Sequence, residues 1–194
     1  MDIENIVKDL VKDLATKVFN KSLEKGTEQY EKALVHFELC FSNYLTRSYQ
    51  RYSTIKTLLY RDRPVSLKDH YVCTDFILGR ELINGNKIFE SFNSNRKNVV
   101  VGTAGSGKSV LLRKLFCDLV EKKQGYIPVL IELRLLIKPD VHVSIFDYIF
   151  KSLSSLDENL TKEQLHYALK KGKIALLLDG FDEIDYEKKE IYER

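Results

Sequence analysis

An apolar run followed at once by a glycine-rich turn and a lysine constrains this chain more than any other stretch. Residues 99–109 read Val-Val-Val-Gly-Thr-Ala-Gly-Ser-Gly-Lys-Ser. They fit Gly-x-x-x-x-Gly-Lys-Ser/Thr, the Walker A pattern of a phosphate-binding loop. The three β-branched residues at 99–101 predict a buried strand, and residues 110–120 have the pattern of a helix whose N-terminus faces the anion. The sequence therefore predicts a strand, a loop and a helix that together bind a nucleotide.

The residues of this loop have distinct expected roles. Lys108 supplies a positive charge for the β- and γ-phosphates, and the Ser109 hydroxyl is placed to bind Mg²⁺. The glycines remove Cβ atoms that would obstruct a positive φ or a close approach to the polyphosphate. The residues expected to contact the nucleotide are Gly102, Thr103, Ala104, Gly105, Ser106, Gly107, Lys108, Ser109 and Val110. A glycine turn that binds nothing is the alternative, and the strand–turn–helix context argues against it.

A second informative stretch, residues 174–185, reads Ile-Ala-Leu-Leu-Leu-Asp-Gly-Phe-Asp-Glu-Ile-Asp. Its five apolar residues predict another buried strand, with Asp179 at the carboxyl end. Ligands bind at the carboxyl ends of the strands in parallel α/β sheets, so we expect Asp179 and the loop to meet in one crevice. The pattern is typical of Walker B, whose aspartate holds Mg²⁺. Asp182 and Glu183 add carboxylates, one of which is expected to orient or deprotonate the attacking water. The alternative is an acidic turn that caps the next helix.

Residues 176–184 resemble the extended Walker B motif of NACHT domains, which belong to the STAND class of signalling P-loop NTPases. The distinguishing features are a small residue directly after the metal-binding aspartate, here Gly180, and the pair Asp182 and Glu183. AAA+ motors instead place a glutamate where Gly180 stands. The resemblance covers residues 97–185. The helical segment 1–60 is similar, less specifically, to the N-terminal regions of bacterial NACHT proteins.

The resemblance implies a switch driven by ATP or GTP with Mg²⁺, which oligomerises on sensing a ligand, often in immune or antiphage signalling. A complete member continues after Walker B with further strands, a winged-helix region and a sensor, whereas this sequence ends at Arg194. We therefore expect an N-terminal piece of a longer protein, without the strand that separates the Walker A and Walker B strands in the family. Both strands are then expected to expose apolar edges, and the chain alone is not expected to sustain hydrolysis.

Helical periodicity dominates the N-terminal third. Apolar residues recur at helical spacing over 3–24, and a second pattern over 30–60 predicts one helix, or two with a break between Thr46 and Ser53. The tyrosines of this region are expected to pack between helices, the alternative being a stacking surface for a ligand. Pro64 ends the helical region. The predicted division is an α-helical N-terminal domain at 1–64, a lead-in at 65–97 and a NACHT-type P-loop NTPase domain at 98–194, truncated after Walker B.

Shorter elements complete the predicted fold. Residues 65–79 are expected to form an extended linker or a short strand pair, and residues 83–92 a short helix. A strand buried on both faces is expected at 129–131, and helices are expected to begin after Ser144 and after Thr161. The fold class is therefore α/β: an incomplete P-loop NTPase sheet with flanking helices, preceded by an α-helical domain.

The composition and charge of the chain limit the classes of partner that we expect it to bind. The chain carries a net charge of only +3, with 44% hydrophobic and 30% charged residues, and neither half is strongly basic. These values argue against nucleic acid or an anionic membrane as the main partner. The three cysteines are scattered and odd in number, and the N-terminus lacks a signal-peptide pattern. Both features favour the cytoplasm.

Two other functions remain open from the sequence. A small-molecule or nucleotide kinase also begins with a Walker A loop, but it needs an acceptor pocket and an arginine-bearing lid, and neither pattern is apparent. A non-catalytic module would use its helices to bind a partner while the nucleotide site is only structural. The preferred interpretation is a signalling NTPase that binds a nucleotide, self-associates in its full-length form and does not enter membranes.

Overall fold

The N-terminal helix forms as its periodicity predicts. A computed structural model describes residues 2–19, 41–57, 60, 62–93, 97–123, 125–136, 144–155 and 160–181. In it α1 spans Ile3–Phe19. Its buried face consists of residues at i, i+3, i+4 and i+7 spacing, as an amphipathic helix requires: Ile6, Val7, Leu10, Val11, Leu14 and Ala15. The helix predicted over 3–24 is thus confirmed to Phe19, and residues 20–24 lie outside the described residues.

The second helix, α2, occupies residues 41–52 in the described part of the chain. The pattern predicted helix up to residue 60, and this is wrong beyond 52. The β-branched residues of strand β1, Thr54–Ile55, pair antiparallel with strand β2, Val65–Ser66, and such residues favour extended backbone. The chain therefore breaks at Ser53, within the predicted interval, but continues as a strand. Residues 30–40 lie outside the described residues.

Short elements fill the lead-in, as expected. A four-residue helix, α3, spans Leu67–His70. Strands β3, Phe76–Leu78, and β4, Glu81–Ile83, form an antiparallel pair. A 3-10 turn at Gly85–Lys87 then leads into α4, Ile88–Asn93. The short strand pair predicted within 65–79 is wrong, because β2 and β3 each pair with a strand outside that range and α3 lies between them. The short helix predicted over 83–92 is confirmed from Gly85 onward, as the 3-10 turn and α4.

The parallel sheet has two strands among the described residues. Helix α5 spans Lys108–Glu121, and strand β5, Ile127–Glu132, is buried over all but its last residue. Helices α6, Ile145–Ser154, and α7, Lys162–Lys170, follow with the expected serine and threonine caps. Strand β6, Ile174–Asp179, pairs in parallel with β5. The α/β fold class with a small, incomplete parallel sheet is confirmed.

One apolar core joins the N-terminal helices to the sheet. Its members come from α1, α2, α5, β5, α6 and α7 and include Leu10, Leu45, Phe116, Ile127, Leu153 and Leu165. Tyr44 and Tyr52 of α2 are buried and make edge-to-face contacts with Phe116, so these tyrosines pack between helices as expected. The core crosses the predicted boundary at Pro64, and that boundary stays a prediction. No helix in the described ranges combines the length and the apolar character needed to span a membrane.

Two predicted buried strands are more open than the sequence suggested. Residues 99–101 are not assigned to a strand, and Val99 and Val101 are 87% and 88% exposed. Leu176 and Leu178, on one face of β6, are 41% and 38% exposed. The physical reason is shared: within the described residues β6 pairs only with β5, and no strand pairs with 99–101. No strand forms at 99–101, so that prediction is wrong. At 174–178 the predicted strand forms but is only partly buried, and the expectation of apolar exposure holds at both places.

Candidate nucleotide-binding site

The backbone of the glycine-rich loop takes a shape that other residues would resist. Gly105 and Gly107 have φ angles of +77° and +89°, in the region where a side chain is strained. A Cβ on Gly102 would lie 2.7 Å from the Ser106 hydroxyl oxygen, so a larger residue here would force the Ser106 side chain to move. The Ser106 N–H donates to the Thr103 carbonyl at 3.2 Å and closes the turn. Residues 102–107 therefore form a compact, exposed loop at the N-terminus of α5.

Helix α5 begins at Lys108, within the Walker A pattern, and its N-terminus faces this loop. Gly107 is the residue before the helix, and the first full helical hydrogen bond runs from the Leu111 N–H to the Gly107 carbonyl at 2.8 Å. The N–H groups of the first turn have no carbonyl of their own helix to bind. No acidic side chain occupies that turn. These N–H groups and the positive end of the helix dipole are therefore available to an anion.

Lys108 folds over the loop. Its Nζ donates to the Gly102 carbonyl at 2.7 Å and to the Thr103 carbonyl at 3.2 Å. It forms no ion pair with any part of the chain that the structure describes. The ammonium group is therefore held at the loop by neutral carbonyls, and no carboxylate of the described ranges neutralises its charge there.

Asp179 lies beside the loop helix. Its Oδ1 accepts a hydrogen bond of 2.9 Å from the Ser109 hydroxyl. The expectation that the carboxyl end of the 174–178 strand meets the loop is met by this contact. The Gly180 that follows has a φ of +78°, which turns the chain away from the strand. A hydroxyl and a carboxylate side by side are oxygen ligands of the kind that Mg²⁺ binds, with waters and phosphate oxygens as the remaining ligands.

Sequence reasoning missed a second carboxylate at the same sheet edge. Glu132 ends β5 in direct register with Asp179. Its two oxygens accept from Arg51 at 3.1 Å and from Arg134 at 2.7 Å. Because the two arginines neutralise the charge of Glu132, this carboxylate is less suited to bind a metal ion than Asp179 at the end of β6. The only sequence signal was its position directly after the apolar run.

Comparison with known families decides the affiliation of this chain. The family described as the NACHT domain matches residues 96–193, just over half of the chain. The chain belongs to the NACHT family. NACHT domains are P-loop NTPases that bind nucleotide and typically oligomerise. No curated protein and no solved structure gives a significant match.

The structure describes the Walker A residues and Asp179 of the NACHT motifs, but not Asp182 and Glu183. It brings Lys108, Ser109 and Asp179 together beside the loop that carries Thr103 and Ala104. Val110 lies half-buried in the first turn of α5. Asp182 and Glu183, the predicted water-activating pair, lie outside the described residues, and their role stays a prediction.

The far end of the NACHT loop helix is tied to the N-terminal helices. Glu121, the last residue of α5, accepts from the Tyr49 hydroxyl of α2 at 2.6 Å and from Lys68 of α3 at 3.2 Å. Burial, together with the Glu121 carboxylate, raises the pKa of Tyr49 above its ordinary value. One turn earlier, burial raises the pKa of the Cys117 thiol to about 12. A single helix therefore runs from the nucleotide loop to the contact with α2.

Proposed function

We propose that this chain is the nucleotide-binding part of a NACHT-type signalling switch, with ATP as its nucleotide and GTP as the alternative. The observation that carries the proposal is the 2.9 Å contact between Ser109 and Asp179. It joins the two oxygen ligands expected for Mg²⁺ at the edge of the sheet where the loop also presents Lys108. Neither motif alone distinguishes a nucleotide site from an ordinary turn, whereas their contact is what a shared site requires.

Charge supports the same site. A triphosphate brings several negative charges, and the loop offers the Lys108 ammonium and the free N–H groups of the first turn of α5. In this proposal Lys108 exchanges its carbonyl partners for the β- and γ-phosphates. Ser109 and Asp179 hold the metal, which neutralises charge on the phosphates when bound. The exposed residues 102–107 wrap the phosphates through their backbone.

The proposed reaction is hydrolysis of the bond between the β- and γ-phosphates. It relies on positioning and charge neutralisation more than on covalent chemistry. We assign the orientation or deprotonation of the attacking water to Glu183, with Asp182 as the alternative. The poor pairing of residues 99–101 leads us to expect that residues 1–194 bind nucleotide without sustained turnover.

The switch part of the proposal rests on the shared core. Because α1 and α2 pack in the same core as α5 and β5, a nucleotide that repositions α5 would strain these contacts. We therefore propose that the nucleotide state controls self-association through the N-terminal helices, in the cytoplasm and in a defence-related pathway. The scattered cysteines support the reducing compartment.

Titration of the purified chain with fluorescent ATP and GTP, with and without Mg²⁺, tests the proposal. Phosphate release measured on the same samples separates binding from turnover. We expect Mg²⁺-dependent binding of ATP, or of GTP as the alternative. Failure to bind either nucleotide would overturn the assignment and favour the non-catalytic module. Transfer of phosphate to a small acceptor instead of water would identify the kinase alternative.

A further inference from the structure

A cavity of about 250 Å³ lies between α2, β5 and α6. None of its lining residues belongs to the glycine-rich loop or to β6. Its size falls just below the usual range for small-molecule sites, about 300–1,000 Å³. The cavity is therefore distinct from the proposed nucleotide site and suits a ligand smaller than a nucleotide.

The mouth of the cavity carries two arginines, one of which is paired with a carboxylate. Arg47 and Arg51 lie one turn apart on the same face of α2, and both line it. Among the described residues, no Asp or Glu lines the cavity. The charge of Arg51 is balanced by Glu132, so the positive charge that favours an anion at the mouth comes from Arg47, with Arg51 one turn away as a further donor.

The two arginines differ in how they are held. Arg51 donates to Glu132 at 3.1 Å and lies 5.5 Å from the centre of the Tyr52 ring, which fixes its guanidinium at the rim. Arg47 is exposed and has no hydrogen-bond or ion-pair partner in the described part of the chain. Arg47 can therefore present its planar fork of donors to a carboxylate or a phosphate.

The interior of the cavity suits a compact apolar body. Val129 and Ile131 of β5 and Ile149 of α6 line it, and all three are buried. The half-buried side chains of Tyr148 and Ser152, on α6, add an aromatic ring and hydroxyl groups to the lining. An apolar floor with a few convergent polar groups is the usual composition of a small-molecule site.

We propose that this cavity binds a small organic anion, which Arg47 and Arg51 hold by its phosphate or carboxylate group. The ring or short aliphatic body of the ligand lies against β5. The proposal is independent of the nucleotide site, because the two sites share no residue. The ligand lies where α2 meets β5 and α6, at residues that belong to neither Walker motif.

Calorimetric titration of the full chain with phenyl phosphate, benzoate and benzyl alcohol tests the proposal. Phenyl phosphate or benzoate should bind with a Kd of about 1 mM or below, and the neutral alcohol should not bind measurably. Binding should weaken as salt is raised, because the arginines are exposed. Equal binding of the alcohol, or no binding of either anion at this concentration, would overturn the proposal.

Variants locate the binding. Arg47→Ala should weaken anion binding by about tenfold or more, since hydrogen bonds between charged groups are lost. Arg80→Ala removes the same charge from an exposed position outside the cavity and should change nothing. Circular dichroism confirms that each variant is folded.

A third variant excludes the nucleotide loop as the site. Lys108→Ala should leave phenyl phosphate binding unchanged, even where it abolishes binding of ATP. Loss of phenyl phosphate binding in Lys108→Ala together with retention in Arg47→Ala would place the anion on the loop and overturn the cavity assignment.

Discussion

The hydroxyl of Ser109 donates a 2.9 Å hydrogen bond to Oδ1 of Asp179, across 70 positions of sequence. The contact forms because α5 packs against the two-stranded sheet and begins at the edge where β6 ends. A hydroxyl at the start of a helix and a carboxylate at the end of a strand become neighbours only through this tertiary arrangement. The contact is therefore evidence for a shared site that neither motif supplies alone.

Replacing the Asp179 carboxylate should reduce the gain in nucleotide affinity that Mg²⁺ provides. We expect Asp179→Asn to lower nucleotide affinity in the presence of Mg²⁺ by about tenfold or more, because a charged ligand to the metal is lost. Affinity without Mg²⁺ should change little. The measurement is a nucleotide titration with Mg²⁺ and with chelator.

Glu132→Gln is the matched control for this substitution. It removes a carboxylate at the same register on β5, one whose oxygens are occupied by arginines. Its Mg²⁺ dependence should equal that of the unmodified chain. If Asp179→Asn also retains the full Mg²⁺ dependence, Asp179 is not the metal-binding residue.

The two acidic residues after the strand should separate binding from turnover. Glu183→Gln is expected to leave nucleotide binding intact and to slow hydrolysis by about 10²- to 10⁴-fold, the usual contribution of a general base. Phosphate release measured in a form of the protein with detectable turnover gives the rate. Asp182→Asn is the comparison, and a larger effect from Asp182→Asn would exchange the two roles.

The contact between α2 and α5 should contribute to stability. Tyr49→Phe removes the hydroxyl that donates to Glu121 but keeps the ring. We expect a loss of about 1–2 kcal/mol in the free energy of unfolding, because the bond is to a charged, largely buried group. Urea unfolding measures the change. Tyr60→Phe, at an exposed tyrosine, should have almost no effect, and equal effects of the two substitutions would contradict the assigned role of Tyr49.

Burial of Cys117 predicts an alkaline loss of stability. Its pKa is raised from 9.0 to about 12 in the folded chain, so between these values the unfolded thiol ionises while the folded thiol stays protonated. The unfolded state then binds fewer protons, and the free energy of unfolding falls as pH rises through this interval. Urea unfolding at about pH 8 and about pH 10 should show the decrease, and it should be smaller in Cys117→Ala. An equal decrease in both proteins would contradict this origin.

The same burial predicts slow thiol chemistry at Cys117. The thiolate is the reactive form, and the half-buried Cys73 is more accessible. Labelling of the folded chain followed by peptide mass spectrometry should modify Cys73 well before Cys117. Faster labelling of Cys117 would show that α5 opens locally near its C-terminal end.

Local signals in the sequence predicted local structure well. Thr161 and Gln164 form the capping box that starts α7, and Ser144 caps α6 by accepting from the Asp147 N–H at 3.0 Å. Helix caps depend on residues a few positions apart, so sequence alone carries them. The glycine-rich loop and the place of Asp179 at the end of its strand were predictable for the same reason, because both depend on neighbouring residues.

Properties that depend on distant partners were predictable only in part. The valines at 99–101 have the composition of a buried strand, yet their burial depends on a neighbouring strand that the described residues do not supply. The helical periodicity that continued beyond residue 52 likewise did not show the pairing of β1 with β2. The cavity beside Arg47 was missed because it is assembled from three elements far apart in sequence.

Calorimetric titration of Mg·ATP into the chain and into its Lys108→Ala variant tests whether the glycine-rich loop binds the nucleotide. We expect Lys108→Ala to weaken binding by about 10- to 150-fold, because hydrogen bonds between charged groups are lost. Lys122→Ala removes the same charge at the opposite end of α5 and should bind Mg·ATP as the unmodified chain does. Equal affinities of the unmodified chain and of Lys108→Ala would contradict a nucleotide site at the glycine-rich loop.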